Sequence, residues 1–286
     1  MVEATETTPS SVSASNAFEL VEGPALAPFL LVCDHASNDI PAEFANLGLP
    51  AAELERHIAY DLGSAALTRA LAKRLGAPAV LSRFSRLLID PNRGEDDPTL
   101  VMKLSDGAVI PGNARADAAE VERRLTRFWR PYDRAIAAMI DRALAAGNVP
   151  AILSLHTFTP AWRGFPRPWH CSVLWDRDPR LAQPLLSALR AEGDLEVGDN
   201  EPYSGALHGD CMWRHGTRRG LAHAILEVRQ DLVAAEAGVA DWVERLARIL
   251  PATLAQDRHR DAAAAQRVKA APKSGNGRRP VSATLT

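Results

Sequence analysis

The chain has 286 residues and a mass of 30.9 kDa, too large for a disulfide-stapled mini-domain and near the upper limit for one hydrophobic core. Hydrophobic residues make up 47% and charged residues 24%, which argues against a wholly disordered, collagenous or coiled-coil protein. Lys+Arg 33 against Asp+Glu 35 gives a formal charge of -2, so no global positive field recruits nucleic acid or an anionic membrane. We therefore expect one folded domain with neither as a partner.

The two ends differ in composition from the middle of the chain. Residues 1–17 are acidic and Ser/Thr-rich and lack the apolar core of a secretory signal. Residues 257–286 are basic and rich in Ala, Gly and Pro, without apolar periodicity. We therefore predict a disordered leader over 1–17, a single α/β domain over 18–256 and a disordered basic tail over 257–286. Three cysteines without C-x-x-C spacing, and no bilayer-length apolar run, indicate a cytoplasmic protein.

Short apolar runs alternate with longer amphipathic segments between these ends, which is typical of a layered α/β fold. In chain order they predict a strand at 27–33, a helix at 62–75, a strand at 78–81, a helix at 116–146 interrupted at Pro131, strands at 150–155 and 171–175, a helix at 179–191, a strand at 222–228 and a helix at 236–250. This alternation predicts helices on both faces of a largely parallel or mixed sheet.

Polar side chains follow the ends of several predicted strands. Asp34 and His35 follow the first, His156 follows the strand at 150–155, and Glu227 lies near the end of the last. Ligands of open α/β sheets gather at the carboxyl ends of strands, so these side chains should share one crevice. The alternatives are hydrogen-bonded loop histidines and a glutamate neutralised by Arg229.

Two histidines and a carboxylate with an open position are the ligand set of a catalytic zinc. A nearby carboxylate can take a proton from water during attack on an amide carbonyl, and Glu227 is the candidate for this base. The chain has no G-x-x-x-x-G-K-[ST], G-x-G-x-x-G, G-x-S-x-G or H-E-x-x-H motif, which removes the main support for a kinase, a dehydrogenase or a serine hydrolase. These residues favour metal-assisted hydrolysis of an amide.

A second polar cluster, RFSRLLIDPNR, occupies residues 83–93. Arg86 and Arg93 offer planar bidentate donors and Asn92 adds an amide, a combination that suits a carboxylate ligand. In the alternative interpretation these are surface arginines paired with the acidic residues at 95–97, and Asp90 holds one of them in place.

Seven separated segments carry a resemblance to a known family: CDHASNDIP (33–41), HIAYDLG (57–63), SRLLIDPNR (85–93), SLHTFTP (154–160), VGDNEPYSG (197–205), HG (215–216) and LEVRQDL (226–232). In this order they resemble the N-formylglutamate amidohydrolases. The resemblance implies a zinc-carboxypeptidase-like, phosphorylase/hydrolase-like fold, a three-layer α/β/α sandwich around a mixed, mostly parallel sheet. It also implies hydrolysis of N-formyl-L-glutamate, or a related N-acyl amino acid, to formate and the free amino acid in histidine catabolism.

The same resemblance implies roles for individual residues. His35 and His156 would bind one divalent metal, preferably zinc, and Glu227 would be the general base. Arg86, Asn92 and Arg93 would hold the carboxylates of a small-molecule substrate or, for Arg86, the oxyanion. His57 and His215 would contact the substrate or orient a ligand. The oligomeric state stays open.

The third metal ligand is an open choice among three residues. A carboxypeptidase-like H-x-x-E spacing would place a carboxylate where the chain has Asn38. Asp61 is the preferred substitute because it lies in a matching segment, although it could instead cap the following helix, and Glu43 is the other candidate. If the metal site is lost, the chain would be a non-catalytic protein that binds a small anion or amino acid.

Overall fold

The structure is a computed structural model that describes residues 17–270, with side chains described to residue 254. Its strands are β1 (Phe18–Val21), β2 (Phe29–Cys33), β3 (Ala79–Ser82), β4 (Leu104–Ser105), β5 (Ala108–Val109), β6 (Ala151–Phe158), β7 (Ala161–Trp162), β8 (Phe165–Pro166), β9 (Cys171–Leu174), β10 (Val197–Asp199) and β11 (His223–Arg229). Its helices are α1 (Ala51–Leu54), α2 (Ser64–Leu75), α3 (Pro111–Ala114), α4 (Ala118–Arg124), α5 (Arg130–Ala145), α6 (Pro179–Ala191), α7 (Cys211–His215) and α8 (Glu236–Ala270).

Seven of these strands form one sheet in the order β1-β3-β2-β6-β11-β9-β10. The four central strands β3, β2, β6 and β11 are parallel to one another. β1 pairs antiparallel with β3, and β9 pairs antiparallel with β11 but parallel with β10. The two remaining pairs, β4 with β5 and β7 with β8, are small hairpins. The mixed, mostly parallel α/β sheet expected from the sequence is confirmed.

Alternate side chains of the central strands face two separate cores. On β2, Leu30 and Val32 belong to the core that includes Tyr132 of α5. Leu31 and its neighbours on the other face belong to the core that includes Leu246 of α8. Because both faces of the sheet are covered, its strands read as continuous apolar runs, and this is why the sequence reveals them.

The helix predicted over 116–146 is a nearly continuous helical segment. A π-helical turn, Leu125–Trp129, lies directly before the predicted interruption and leads into α5, with Pro131 in its first turn. The Arg130 N–H donates to the Leu125 carbonyl across this wider turn, which leaves room for the proline ring and its missing N–H. The predicted break is therefore a local widening rather than a separation into two helices.

Residues 1–16 of the leader predicted over 1–17 lie outside the described residues, as do residues 271–286 of the predicted tail. The backbone of α8 continues beyond residue 256 to Ala270, across the boundary expected between domain and tail. No helix within the described part of the chain is both long enough and apolar enough to cross a bilayer. The division of the chain at residues 17 and 256 stays a prediction.

Candidate metal centre and active site

Three buried side chains converge at the carboxyl end of the central strands. His35 follows β2, His156 lies on the adjacent strand β6, and Asp61 lies in the loop before α2. Asp61 Oδ2 is 3.3 Å from His35 Nδ1 and 2.8 Å from His156 Nδ1. One ligand atom from each residue lies within 4.8 Å of the others, so the group could hold a metal ion.

The backbone places Asp61 in this group and not at a helix terminus. The Asp61 N–H donates to the carbonyl oxygen of His35 at 2.9 Å, which fixes the loop against the end of β2. Gly63 then turns the chain into α2 with a φ of +84°, and an added Cβ would lie 2.7 Å from Val233. The first turn of α2 has no side-chain cap, so the alternative role of Asp61 as an N-cap is wrong.

A further carboxylate stands behind each histidine. Asp34 Oδ2 is 3.1 Å from His156 Nε2, and Asp90 Oδ1 is 2.8 Å from His35 Nε2. Metal binding through Nδ1, the atom that faces Asp61, requires the tautomer with the proton on Nε2, and in that tautomer each Nε2 donates to this carboxylate. Carboxylates paired in this way with metal-binding histidines fix the ring orientation and the tautomer. The sequence indicated neither pairing.

The carboxylates of this centre keep their negative charge. Burial alone raises the pKa of Asp34, but the hydrogen bond and the charge of His156 outweigh burial and lower the pKa to about 2. Burial also raises the pKa of Asp61, but the charges and hydrogen bonds of His35 and His156 outweigh it and lower the pKa. Burial is likewise outweighed at Asp90, where Arg86 and His35 hold the pKa well below its usual range. The centre is therefore strongly acidic and suited to a cation.

Glu227 stands beside this group with one oxygen unpartnered. It is opposite His156 in the pairing of β11 with β6, it is 7% exposed, and its Oε2 is buried without a hydrogen bond. Burial raises the pKa of Glu227 to about 7, although the charge of His156 opposes the rise. Arg229 does not neutralise it, because that guanidinium pairs with Asp231 at 2.8 Å.

A cavity of about 280 Å³ opens in front of these residues. Its lining includes the candidate metal group and Glu227, together with four of the residues expected to bind substrate or stabilise charge: His57, Arg86, Asn92 and Arg93. The structure therefore brings two separate sequence clusters, the strand ends and the segment 83–93, into one site.

Arg86 links the two clusters. One of its terminal nitrogens donates to Asp90 Oδ2 at 2.9 Å, and the other is 3.6 Å from Asp61 Oδ1. Its Nε is buried and has no hydrogen-bond partner. Burial lowers the pKa of Arg86, but the charges of Asp90 and Asp61 more than compensate and raise it. A charged donor thus remains available at the cavity wall.

Asn92 and Arg93 are held at the same wall by local hydrogen bonds. The Asn92 N–H donates to Asp90 Oδ1 at 2.9 Å, and its side-chain oxygen accepts from the Cys211 N–H at 3.1 Å. This leaves the Asn92 Nδ2 group as a donor for the cavity. Arg93 donates to Thr99 Oγ1 at 3.1 Å and to the Asn92 carbonyl at 2.8 Å. Neither Arg86 nor Arg93 pairs with the acidic residues at 95–97.

The structure does not bring His215 into the cavity. Its Nε2 is 2.8 Å from Asp133 Oδ1, so the ring joins α7 to α5. The expectation that His215 contacts substrate is therefore corrected, because its Nε2 contacts a neighbouring helix and the residue does not line the cavity.

The two other candidates for the third ligand also lie elsewhere. Asn38 donates to the Leu54 carbonyl at 3.0 Å, and Glu43 is exposed and pairs with Arg127 at 2.7 Å. His57 does line the cavity, where its Nε2 is 3.5 Å from Asp106 Oδ2.

Several cavity residues were not identified from the sequence. Trp162 comes from the β7–β8 hairpin, and Tyr203 comes from a segment that matched the family without an assigned role. Asp210 accepts from the Trp213 N–H at 2.6 Å at the start of α7, and burial raises its pKa to about 6. A carboxylate before a short apolar segment was the only sequence signal for Asp210.

The fold and site together define an α/β protein of the hydrolase type, with a buried His-Asp-His group and a free glutamate at the strand ends. The chain belongs to the N-formylglutamate amidohydrolase family, whose profile matches residues 27–234. The resemblance inferred from the seven segments is thereby confirmed.

Two solved structures are similar over most of the chain. The gene product Atu2144 from Agrobacterium tumefaciens is 33% identical with a TM-score of 0.80, and the match covers 85% of this chain and 96% of that one. N-formylglutamate amidohydrolase from Ralstonia eutropha is 21% identical with a TM-score of 0.66, covering 85% and 98%, and supports the fold. No curated protein matches the chain significantly.

Proposed function

We propose that the protein is a metal-dependent amidohydrolase that cleaves N-formyl-L-glutamate, or a related N-acyl amino acid, into the acid and the free amino acid. The observation that carries this proposal is the unpartnered carboxylate oxygen of Glu227, buried beside the group of His35, Asp61 and His156. A buried carboxylate without a partner is costly, and such residues concentrate at functional sites.

The proposed metal ligands are the Nδ1 atoms of His35 and His156 and a carboxylate oxygen of Asp61. Two imidazoles and a carboxylate suit zinc, and the three buried donors converge closely enough to share one ion. When bound, zinc would polarise the amide carbonyl and lower the pKa of water. Asp34 and Asp90 would hold the two rings in position through their Nε2 atoms.

Glu227 is the proposed proton carrier. Its carboxylate takes a proton from the water that attacks the acyl carbon, and returns it to the amine nitrogen as the C–N bond breaks. A pKa of about 7 suits both transfers at neutral pH, because a group near that value accepts and releases a proton readily.

Arg86, Asn92 and Arg93 are the proposed anion-binding residues. Arg86 lines the cavity with a terminal nitrogen 3.6 Å from Asp61 Oδ1, and its positive charge would stabilise the oxyanion formed beside the proposed metal ligands. Asn92 and Arg93 would bind the substrate carboxylates, with the positive charge of Arg93 complementing the negative charge of glutamate. His57 also lines the cavity and would contact the substrate there.

We further propose that the enzyme works in the cytoplasm in a route of histidine breakdown. Its three cysteines are buried and unpaired, as suits a reducing compartment. The alternative, a non-catalytic binding protein, was suggested by Asn38 at the place of a metal ligand. It loses that support because Asp61 supplies a carboxylate at the two histidines.

The test is elemental analysis of the purified, tag-free protein, followed by measurement of formate release from N-formyl-L-glutamate. Near-stoichiometric zinc with chelator-sensitive formate release is the expected result. Zinc without formate would exclude this substrate and redirect the assay to other N-acyl glutamates. Absence of metal after incubation with zinc, together with absence of turnover, would overturn the proposal in favour of a binding protein.

A further inference from the structure

A second cavity, of about 390 Å³, lies beside the metal cavity. Three residues line both cavities: Leu174, Leu207 and Ile225. The two spaces are therefore separated by a single layer of apolar side chains, and none of the steps proposed above uses the second one.

The floor beneath the two cavities is continuous. Ile225 and Glu227 are two residues apart on β11, so their side chains lie on the same face of the sheet. Ile225 is paired across the sheet with Leu174 of β9. The sheet face that carries Glu227, the proposed base, therefore continues through Ile225 and Leu174 to the second cavity.

Leu207 covers this floor from a loop that is fastened to the end of β9. The side-chain oxygen of Asn200 accepts from the N–H of Trp175 at 3.0 Å and from that of Gly205 at 2.9 Å. Gly205 packs so closely that an added Cβ would lie 2.4 Å from the Trp175 nitrogen. The loop therefore holds Leu207 between the two cavities.

The second cavity has a mixed lining. Asp176, Arg177, Thr217 and His223 contribute polar groups, whereas the residues shared with the metal cavity are apolar and are joined by Trp175, Met212 and Trp213. The His208 ring packs against Trp213 with ring centroids 4.1 Å apart and planes inclined at 53°. The apolar and aromatic part of this lining suits a hydrocarbon chain or ring better than a second carboxylate.

The order of the strands gives a direction to a bound substrate. Arg86 approaches the centre from the side of His35, because it shares the Asp90 carboxylate with that histidine. β11 and β9 lie on the other side of β6. Asn92 is on the same side, because its N–H donates to the Asp90 oxygen that faces His35. A substrate with its carbonyl oxygen toward Arg86 and its carboxylates at Asn92 and Arg93 would direct its acyl group toward Ile225 and Leu207.

We propose that the second cavity is an acyl subsite, and that Leu207 limits the length of acyl chain that enters it. This inference rests on the proposed amidohydrolase function and narrows its substrate class to N-acyl amino acids with apolar acyl groups longer than formyl. Water still supplies the attacking oxygen, and the products are the corresponding carboxylate and the free amino acid.

The test compares kcat/KM for N-formyl-, N-acetyl-, N-butyryl- and N-hexanoyl-L-glutamate with the zinc-loaded full-length enzyme. Each methylene that enters the apolar cavity should raise kcat/KM about fourfold. Leu207→Trp thickens the apolar layer between the two cavities and should lower the hexanoyl-to-formyl ratio of kcat/KM at least tenfold. Ala206→Trp narrows only the second cavity from an exposed position and should lower the same ratio.

Leu104→Trp is the matched control, because Leu104 is exposed on the β4–β5 hairpin and lines neither cavity. It should leave the ratio unchanged. Hydrolysis of the formyl substrate with a steady fall in kcat/KM along the series would overturn the subsite while leaving the amidohydrolase proposal intact. An unchanged ratio in both loop variants would also overturn it. Failure to hydrolyse any of the four amides would remove both proposals together.

Discussion

The carboxylate of Asp90 lies 2.8 Å from Nε2 of His35 through one oxygen and 2.9 Å from the Arg86 guanidinium through the other. One fully buried side chain therefore orients a candidate metal ligand and a candidate oxyanion donor at the same time. This coupling explains why the segment 83–93, distant in sequence from β2, belongs to the same site.

Asp90→Asn tests this coupling. An amide accepts through only one atom, so either His35 or Arg86 loses its acceptor. Loss of a carboxylate behind a metal-binding histidine typically costs about 10–100-fold in metal affinity or activity. Zinc affinity, measured by competition with a chromophoric chelator, should fall by that factor, and kcat for the N-acyl glutamate should fall because Arg86 is no longer held in place. Asp96→Asn, on an exposed residue of the adjoining loop, should change neither quantity. Unaltered zinc affinity would restrict Asp90 to holding Arg86.

Glu227→Gln tests the proposed base without changing the size of the side chain. General acid–base catalysis contributes about 10²–10⁴-fold, and kcat should fall within that range. Zinc content should stay stoichiometric because Glu227 is not among the proposed ligands, and this separates loss of the base from loss of the metal. Glu196→Gln, on an exposed side chain before β10, is the control and should retain full kcat. A wild-type rate in Glu227→Gln would refute the mechanism.

The sequence predicted those parts of the fold that are long and locally patterned. β6 and β11 were found because their buried runs are nearly uninterrupted. β1 was missed because none of its residues is fully buried, and β10 was missed because it has only three residues. The same limit applies to the small hairpins over the cavity.

The candidate site shows a similar division. His35, His156 and Glu227 could be found because strand ends meet at one edge of a sheet. The pairing of Asp90 with His35 depends on how the loop at 83–93 folds back onto β2, and nothing in the local pattern encodes that contact. His215 was misassigned for the corresponding reason, because membership of a shared motif does not specify which way a side chain points.

Arg93→Ala tests the anion-binding wall. A hydrogen bond between charged groups is worth about 1.5–3 kcal/mol, so kcat/KM for the N-acyl glutamate should fall about 10–100-fold. For the analogue in which both carboxylates are amides, the fall should be less than threefold. Arg190→Ala, an exposed change on α6, is the control for non-specific loss of positive charge. Equal losses of kcat/KM on the charged and uncharged substrates would show that Arg93 does not bind the substrate carboxylates.

Asp210→Asn tests the effect of a buried carboxylate on stability. Burial raises the pKa of Asp210 from 3.8 to about 6, so the folded protein binds this proton more tightly than the unfolded chain. The stabilising contribution is complete below about pH 4 and is lost as the pH rises through about 6. Asparagine keeps an oxygen for the Trp213 N–H and carries no charge, so it avoids that loss.

The variant should therefore match the wild type near pH 4 and exceed its free energy of unfolding above pH 7, by up to roughly 3 kcal/mol. Urea denaturation at both pH values measures the difference. Asp117→Asn is the matched control, since Asp117 caps α4 through the Glu120 N–H at 2.8 Å but is exposed. It should show no gain at neutral pH, because exposure leaves its charge hydrated. An equal gain in the free energy of unfolding at both pH values would mean that burial does not raise the pKa of Asp210.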